Sequence, residues 1–399
     1  MNRILIIGGS ILQLPAIKKA KEMGLYVGVV DFNPNAIGRK YADEFFEIST
    51  IDIDGVTTAA KKFLPQGVIT LATDMPMRTV AAVAKTIGLK GISPEIAYRA
   101  TDKVAMIKCF EDNNVPHPWY YEVRDENYWH SLINEVTYPC IVKPADSSGS
   151  RGVCLLNNKQ EASQVYSYAK SHSSSGVVIV EEYMKGPEVS VEIIVYENEI
   201  HIISITDKMT TGAPHFVELG HKQPSALSEK VKKDIAQVAI KAVKAIGINN
   251  SAAHVEIIVT DNGPKLVELG ARLGGDCITS HLVPLSTGID MVKASIDLAM
   301  GHKPDLNKTI EKVSMIKYIP STKGILKNIK GIEQAKKIPG IKEVAITKQI
   351  GEQVGNIKNS GDRLGYIIVQ SSSYQEAEEI SINALNKIVV EVEDDENII

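Results

Sequence analysis

The chain is short of most features that would announce a specialised environment. Its four cysteines, Cys109, Cys140, Cys154 and Cys277, form no CxxC pair. Neither a zinc knuckle nor a disulfide framework is indicated, and free thiols in a reducing compartment are expected. No apolar run approaches the length that spans a bilayer. The opening MNRILIIGGS ends its apolar run in glycines, too soon for a secretory signal. A cytoplasmic location with no membrane partner is therefore expected. Positive charge is not in excess: the net charge is −4. A nucleic-acid partner, which needs a basic face, is not expected, though a local basic pocket is allowed. A complete GxGxxG turn and a GK[ST] phosphate loop are also missing, which excludes the two most familiar nucleotide signatures.

What remains is an ordinary globular composition, 44% apolar and 23% charged over 399 residues, long enough for two or three domains. One stretch stands out, HVEIIVTDNGPKLVELGARLGGD at 254–276. Its first part alternates, with His254, Glu256 and Ile258 on one face, and reads as a strand. Residues 260–264 are turn chemistry, and 265–269 read as a second strand. A five-residue loop sets Val259 opposite Lys265 and Glu256 opposite Glu268. Carboxylates so placed have Cβ atoms roughly 5 Å apart and repel. They are tolerable if one is protonated or a cation lies between them. Hard oxygen ligands suit Mg²⁺, which is commonly held by one or two carboxylates and substrate phosphates. Gly270 and Arg272 continue the same face, and Gly274-Gly275 allow close backbone approach. The competing reading is a solvated hairpin with two surface glutamates.

The N-terminal part reads as strand 3–7, the turn Gly8-Gly9-Ser10, a helix to residue 24 and strand 25–30 ending at Asp31. This is the pattern of a parallel α/β sheet, with the glycines read as a tight turn rather than a dinucleotide site. Strands are expected at 43–48 and 67–72 and a helix at 75–87, with Asp74 either capping that helix or meeting substrate. Asp102-Lys103 falls inside a helical segment 98–113. Beyond Val115-Pro116-His117-Pro118, a strand carrying Lys143 leads into Ser147-Ser148-Gly149-Ser150-Arg151-Gly152. This small-residue loop can wrap phosphate oxygens or be a flexible hairpin. Strand 176–182 ends in Glu181-Glu182-Tyr183-Met184, whose backbone edge could pair with a purine. Glu188 sits in a turn, and 189–196 with 199–205 form a hairpin. Residues 210–227, with Glu218 and His221, read as loop. Helices follow at 227–247 and 290–300. Segments 313–319, 344–350 and 365–369 with helix 373–389 make a small α+β module with few catalytic-looking residues. The acidic tail 391–396 reads as a solvated end.

Taken in order, Lys103, Lys143, the 147–152 loop, Glu181–Met184, Glu188 and the Glu256/Glu268/Arg272 hairpin resemble the ATP-grasp ligases over roughly residues 1–300. The ELGAR form, the PHFVELGHKQP segment and the C-terminal module are most similar to the L-amino acid ligases. Purine-biosynthesis ligases of the phosphoribosylglycinamide synthetase type come next. The resemblance implies a mixed α/β and α+β fold. It comprises a Rossmann-like pre-ATP-grasp domain at 1–100, an ATP-grasp domain at 101–304 with a mobile lid at about 115–185, and a C-terminal α+β domain at 305–399. It implies ATP with Mg²⁺ or Mn²⁺. Lys103, Lys143, Ser147, Ser148, Gly149, Ser150 and Gly152 would meet phosphates. Glu181, Glu182, Tyr183 and Met184 would hold adenine, Glu188 the ribose, and Glu256 and Glu268 the metal. Lys143 and Arg272 would be catalytic, and Glu218, His221, Arg272 and Gly274 would face substrate. Many members carry Asn where this chain has Gly270, which bears on a second metal ion and leaves room beside the intermediate.

The activity implied is an ATP-dependent carboxylate–amine ligation through an acyl phosphate, with small-molecule carboxylate and amine substrates and a homodimer as one expected assembly. The alternatives are a purine-pathway ligase or a carbamoyl-phosphate synthase-like enzyme within the fold. Outside it stand a nicotinamide oxidoreductase built on Gly8-Gly9 and Asp31, and a nucleotide sensor without turnover.

Overall fold

The computed structural model describes residues 2–147 and 149–393, and the architecture below refers to those residues. They form four sheets. The first is parallel, in the order Glu44–Glu47, Tyr26–Asp31, Arg3–Ile7, Gly67–Ile69. Arg3–Ile7, Tyr26–Asp31 and Gly67–Ile69 are largely apolar on both faces, as strands covered by helices on two sides must be, while the edge strand Glu44–Glu47 is partly exposed. Gly8, at φ +106, turns the chain out of the first strand. The Gly9 N–H then donates to Asp31 Oδ2 at 2.7 Å, and the Asn33 N–H to Asp31 Oδ1 at 2.9 Å. The acid that ends the second strand is thus spent on backbone, in keeping with a tight turn.

The central sheet is eight-stranded and antiparallel. Its order is Gly263–Gly270, Ser251–Thr260, Glu188–Tyr196, Glu199–Thr210, Glu218–Gln223, Val313–Tyr318, Gly365–Ser371, Ile341–Ile346. One face carries Val189, Val191, Ile193, Ala253, Val255 and Ile257, packed with Ile235, Ala239, Ala242 and Val243 of the helix Glu229–Ile246. That helix starts at Ser228, whose side chain accepts from the Val231 N–H, and stops at Gly247, φ +88. Burial of apolar side chains at about 25 cal/mol per Å² fixes which face turns inward, so the polar residues at alternate positions are forced to the other side.

A smaller antiparallel sheet, Tyr120–Val123, Val178–Glu182, Cys140–Pro144, Cys154–Leu156, has its own core around Trp129, Tyr166, Val142 and Val180. The last sheet joins Gln353–Val354, Gly324–Lys330 and Val389–Glu393.

Several sequence expectations need correction. The helical segment at 98–113 is two helices, Pro94–Arg99 and Lys103–Asp112, because Asp102 is an N-cap accepting from the Ala105 N–H. The loop at 210–227 contains the strand Glu218–Gln223. The strand at 344–350 lies at Ile341–Ile346, and the strand Gly324–Lys330 was not anticipated. Glu391 and Glu393 are not a solvated tail: they end the strand Val389–Glu393, paired with Asn328, Lys330 and Lys327. Residues 394–396 lie outside the described residues. No described helix is long and apolar enough to cross a membrane.

Candidate active site

The central hairpin turns at Asp261-Asn262, not over five residues, with Thr260 opposite Gly263. Val259 therefore faces Pro264, and Ile258 faces Lys265. A bulge between Glu256 and Ile257 absorbs Val267 and restores Glu256 directly opposite Glu268. The expected pair stands, but the bulge produces it. Ser190 and Glu192 of the next strand lie opposite Glu256 and His254.

Each of the two glutamates meets a lysine. Lys103, at the start of its helix, contacts Glu268 at 2.8 Å. Lys208, on the strand Glu199–Thr210 with its side chain 5% exposed, donates to Glu188 at 2.6 Å and Glu256 at 2.8 Å, and lies 3.9 Å from Glu218. Burial disfavours the Lys208 ammonium, but Glu188, Glu256 and Glu218 outweigh it and hold its pKa well above the ordinary lysine value. Burial likewise opposes charge on Glu256. Lys208 and His254 overcome this and hold its carboxyl well below the usual range. His254 bridges Glu192 at 2.7 Å and Glu256 at 3.2 Å. Against the cost of burial, those two acids push it up to about 9.

Arg272 forms a bidentate pair with Asp74, both contacts 2.8 Å. Asp74 is thus not a helix cap, and the helix Met77–Ile87 has Pro76 there without a side-chain bond. The pair also fills the space left by Gly270, where a Cβ would lie 3.0 Å from Arg272 Cζ and 3.1 Å from Asp74 Oδ1. The expected room beside this glycine is occupied. A Cβ at Gly274 would lie 2.6 Å from His254 Nδ1 and 2.9 Å from Glu192 Oε2, so only glycine lets this backbone cross the buried pair.

Lys143 and Glu181, adjacent strands of the small sheet, pair at 2.6 Å. Together with Lys103, Phe110, His117 and Leu266 they line one cleft between that sheet and the central hairpin. Glu182 is engaged by Lys265 at 2.7 Å, and its N–H donates to Trp119 O. The strand ends there, with Tyr183 and Met184 beyond it. Gly149, Ser150 and Gly152 all have positive φ, a backbone region that glycine enters freely and other residues rarely. Ser150 Oγ donates to Phe216 O at 3.4 Å. Ser147 lies at the start of this loop, and Ser148 lies outside the described residues.

Glu218 and His221 are on a strand, and His221 is 1% exposed rather than solvated. Its Nε2 lies 3.2 Å from Asp276 Oδ2. Arg363 reaches Asp276 from the C-terminal part of the chain with two bonds of 2.8 and 2.7 Å. Burial opposes ionisation of Asp276, but Arg363 and His221 hold its carboxyl far below the usual range. Asp276 and Cys277 are both left-handed, φ +50 and +61, a placement costing on the order of 1–3 kcal/mol per residue that clusters at functional sites. Lys208, His254, Asp276 and Arg363 had no role in the sequence reading. Lys208 was findable by extending the alternation Ser204, Thr206, Lys208. Arg363 carried no local signal.

The donor set suits a hard divalent ion. Among the described residues no group of three or more His, Cys, Asp or Glu side chains forms a metal cage. A facing pair of carboxylates is what Mg²⁺ or Mn²⁺ needs when substrate phosphates complete the shell.

Residues 136–280 match the ATP-grasp domain family, and residues 317–393 match L-amino acid ligase C-terminal domain 2. Alanine–anticapsin ligase of Bacillus subtilis (strain 168) is 29% identical over 262 residues. That match covers 60% of this chain and 55% of the relative, so the chain spans little more than half of it. Phosphoribosylamine–glycine ligase of Methanococcus vannielii is 26% identical over 419 aligned positions, covering 96% of this chain and 93% of the relative. The crystal structure of an L-amino acid ligase from Bacillus licheniformis shares the fold, with a TM-score of 0.86 over 99% of each chain at 21% identity.

Proposed function

We propose, from the premise that the chain is an ATP-grasp ligase, that it joins a carboxylate to an amine, with amino acids as substrates, through an acyl phosphate. The observation that carries this reading is the set of exchangeable ion pairs around the facing glutamates: Lys103 with Glu268, Lys143 with Glu181, Lys208 with Glu188 and Glu256, and Arg272 with Asp74. Phosphoryl transfer asks for positioning and charge neutralisation more than for covalent protein chemistry. A triphosphate can take over the lysines. Glu256 and Glu268 would then hold Mg²⁺ or Mn²⁺, which when bound supplies further neutralisation of the phosphate charge.

In this reading Ser147, Gly149, Ser150 and Gly152 close over the phosphates. Residues Glu181 to Met184 border adenine, and Glu188, freed from Lys208, meets the ribose. A substrate carboxylate oxygen attacks the γ-phosphorus and ADP leaves. The amine then attacks the acyl carbon, loses a proton, and phosphate departs. Arg272 stabilises the charge of the acyl phosphate, and Glu218, His221 and Gly274 face substrate. Closure of the lid, about 115–185, over the site excludes water from that intermediate. The proposed division is 1–100, 101–304 and 305–399.

The test is ADP and phosphate release with pairs of amino acids. Carboxylate labelled with ¹⁸O should pass one labelled oxygen to the released phosphate. AMP and pyrophosphate, or unlabelled phosphate, would overturn the mechanism. The match over 317–393 favours amino acids. The nearly full-length similarity to a phosphoribosylamine–glycine ligase supports the second reading, and turnover of phosphoribosylamine with glycine would select it.

A further inference from the structure

We propose that Arg363 is the specificity-determining contact for the α-carboxylate of the amine substrate, exchanging Asp276 for it; this rests on the amino-acid ligase reading above. An amino acid used as the amine keeps its own carboxylate, and that charge needs a planar, bidentate cation. Lys103, Lys143, Lys208 and Arg272 stand around the facing glutamates with partners that a nucleotide and its metal would claim. Arg363 enters from outside that group, 87 residues beyond Asp276 in sequence.

Its setting is that of a held but exchangeable guanidinium. The ring of Tyr318 lies 3.8 Å from its Cζ, and Nε donates to Ser360 O at 2.9 Å. Those two contacts fix the plane without Asp276. The bonds to Asp276 occupy both terminal nitrogens, the pair that a substrate carboxylate would take over. Asp276 is not stranded by the exchange, because His221 Nε2 stays beside it. Among the described residues His221 Nδ1 is buried without a partner, an unsatisfied polar atom in this cluster. Glu218 connects the two groups. It lies 3.8 Å from Arg363, accepts from Ser360 at 3.1 Å, and is 3.9 Å from Lys208. A molecule seated on Arg363 is therefore next to the charges assigned to the phosphoryl group.

The experiment compares two amine substrates on the full chain. One is the amino acid that supports most ADP release in a panel of the common twenty, and the other is its α-amide. The wild type should prefer the acid by at least about 100-fold in kcat/KM, a floor below what a site gains when the wrong substrate leaves its buried polar group unpaired. Arg363→Met should bring that preference to within about threefold by raising KM for the acid, with KM for ATP unaltered. Arg363→Lys should keep part of the preference, and it gives the same readout if the methionine variant fails to fold. A loss shared equally by acid and amide, or a raised KM for ATP, would make Arg363 a fastener between domains and overturn the inference. If the wild type ligates but accepts acid and amide alike, this inference fails while the ligase reading stands. If no panel member elicits ADP, both fail.

Discussion

Two regions of this chain carry features of a nucleotide site in the sequence, one read as a tight turn and the other as a binding site, and their charged groups find opposite kinds of partner. In the turn Gly8-Gly9-Ser10, the nearby acid Asp31 is consumed by the N–H groups of Gly9 and Asn33. In the central sheet the charges meet each other, Lys103 with Glu268 and Lys208 with Glu188 and Glu256. A side chain bonded to local backbone is part of the fold, and a ligand would have to break the turn to use it. Two side chains bonded to each other can be separated by a ligand that offers each the opposite charge. The difference lies in who the partners are, not in residue type.

That contrast is open to attack from both ends. The largest effect is expected for Lys208→Met, which takes a buried ammonium from two half-buried carboxylates and leaves Glu256 with His254. Removing one partner of a buried pair costs about 3–5 kcal/mol, read by urea unfolding, and turnover should fall by at least about 100-fold. Next comes the pH dependence carried by His254. Its pKa is about 9 in the folded protein, above the roughly 6.5 of an unfolded histidine. The stabilisation is therefore complete below about pH 6.5 and is lost as pH rises through about 9, by up to about 3 kcal/mol. His254→Gln should flatten that part of the stability profile. Smaller again is Asp31→Ala. It removes two bonds to backbone N–H groups and should cost about 1–3 kcal/mol in unfolding, with KM for ATP unmoved. A raised KM there would break the comparison by giving the glycine turn a ligand. The smallest is Gly270→Ala. The new methyl must press on the Arg272–Asp74 pair, and a KM for ATP raised within about tenfold is expected from a displaced charge.

The sequence made the alternating strands legible because apolar burial sets their phase. The facing glutamates follow from two shifts that cancel: the five-residue loop displaces the register by one residue, and a one-residue bulge that no local pattern marks restores it. The strand Glu218–Gln223 was missed because ELGHKQ is polar on both sides. It passes through a sheet whose site face must be polar, so the usual alternation is gone. Locally Asp74 reads as a cap or a ligand, whereas its partner Arg272 is 198 residues away. Arg363 was beyond reach for the same reason: its meaning lies in Asp276, and no local pattern links a loop arginine to a residue in another part of the fold.

The central claim is that Glu256 and Glu268 together seat a divalent ion that grips the triphosphate. Titration calorimetry with a non-hydrolysable ATP analogue, with and without Mg²⁺, tests it most directly on wild type and Glu268→Gln. Mg²⁺ should strengthen binding at least about tenfold in the wild type and have little effect in the variant. Equal affinity with and without Mg²⁺ in the wild type, or an undiminished Mg²⁺ effect in the variant, would contradict it.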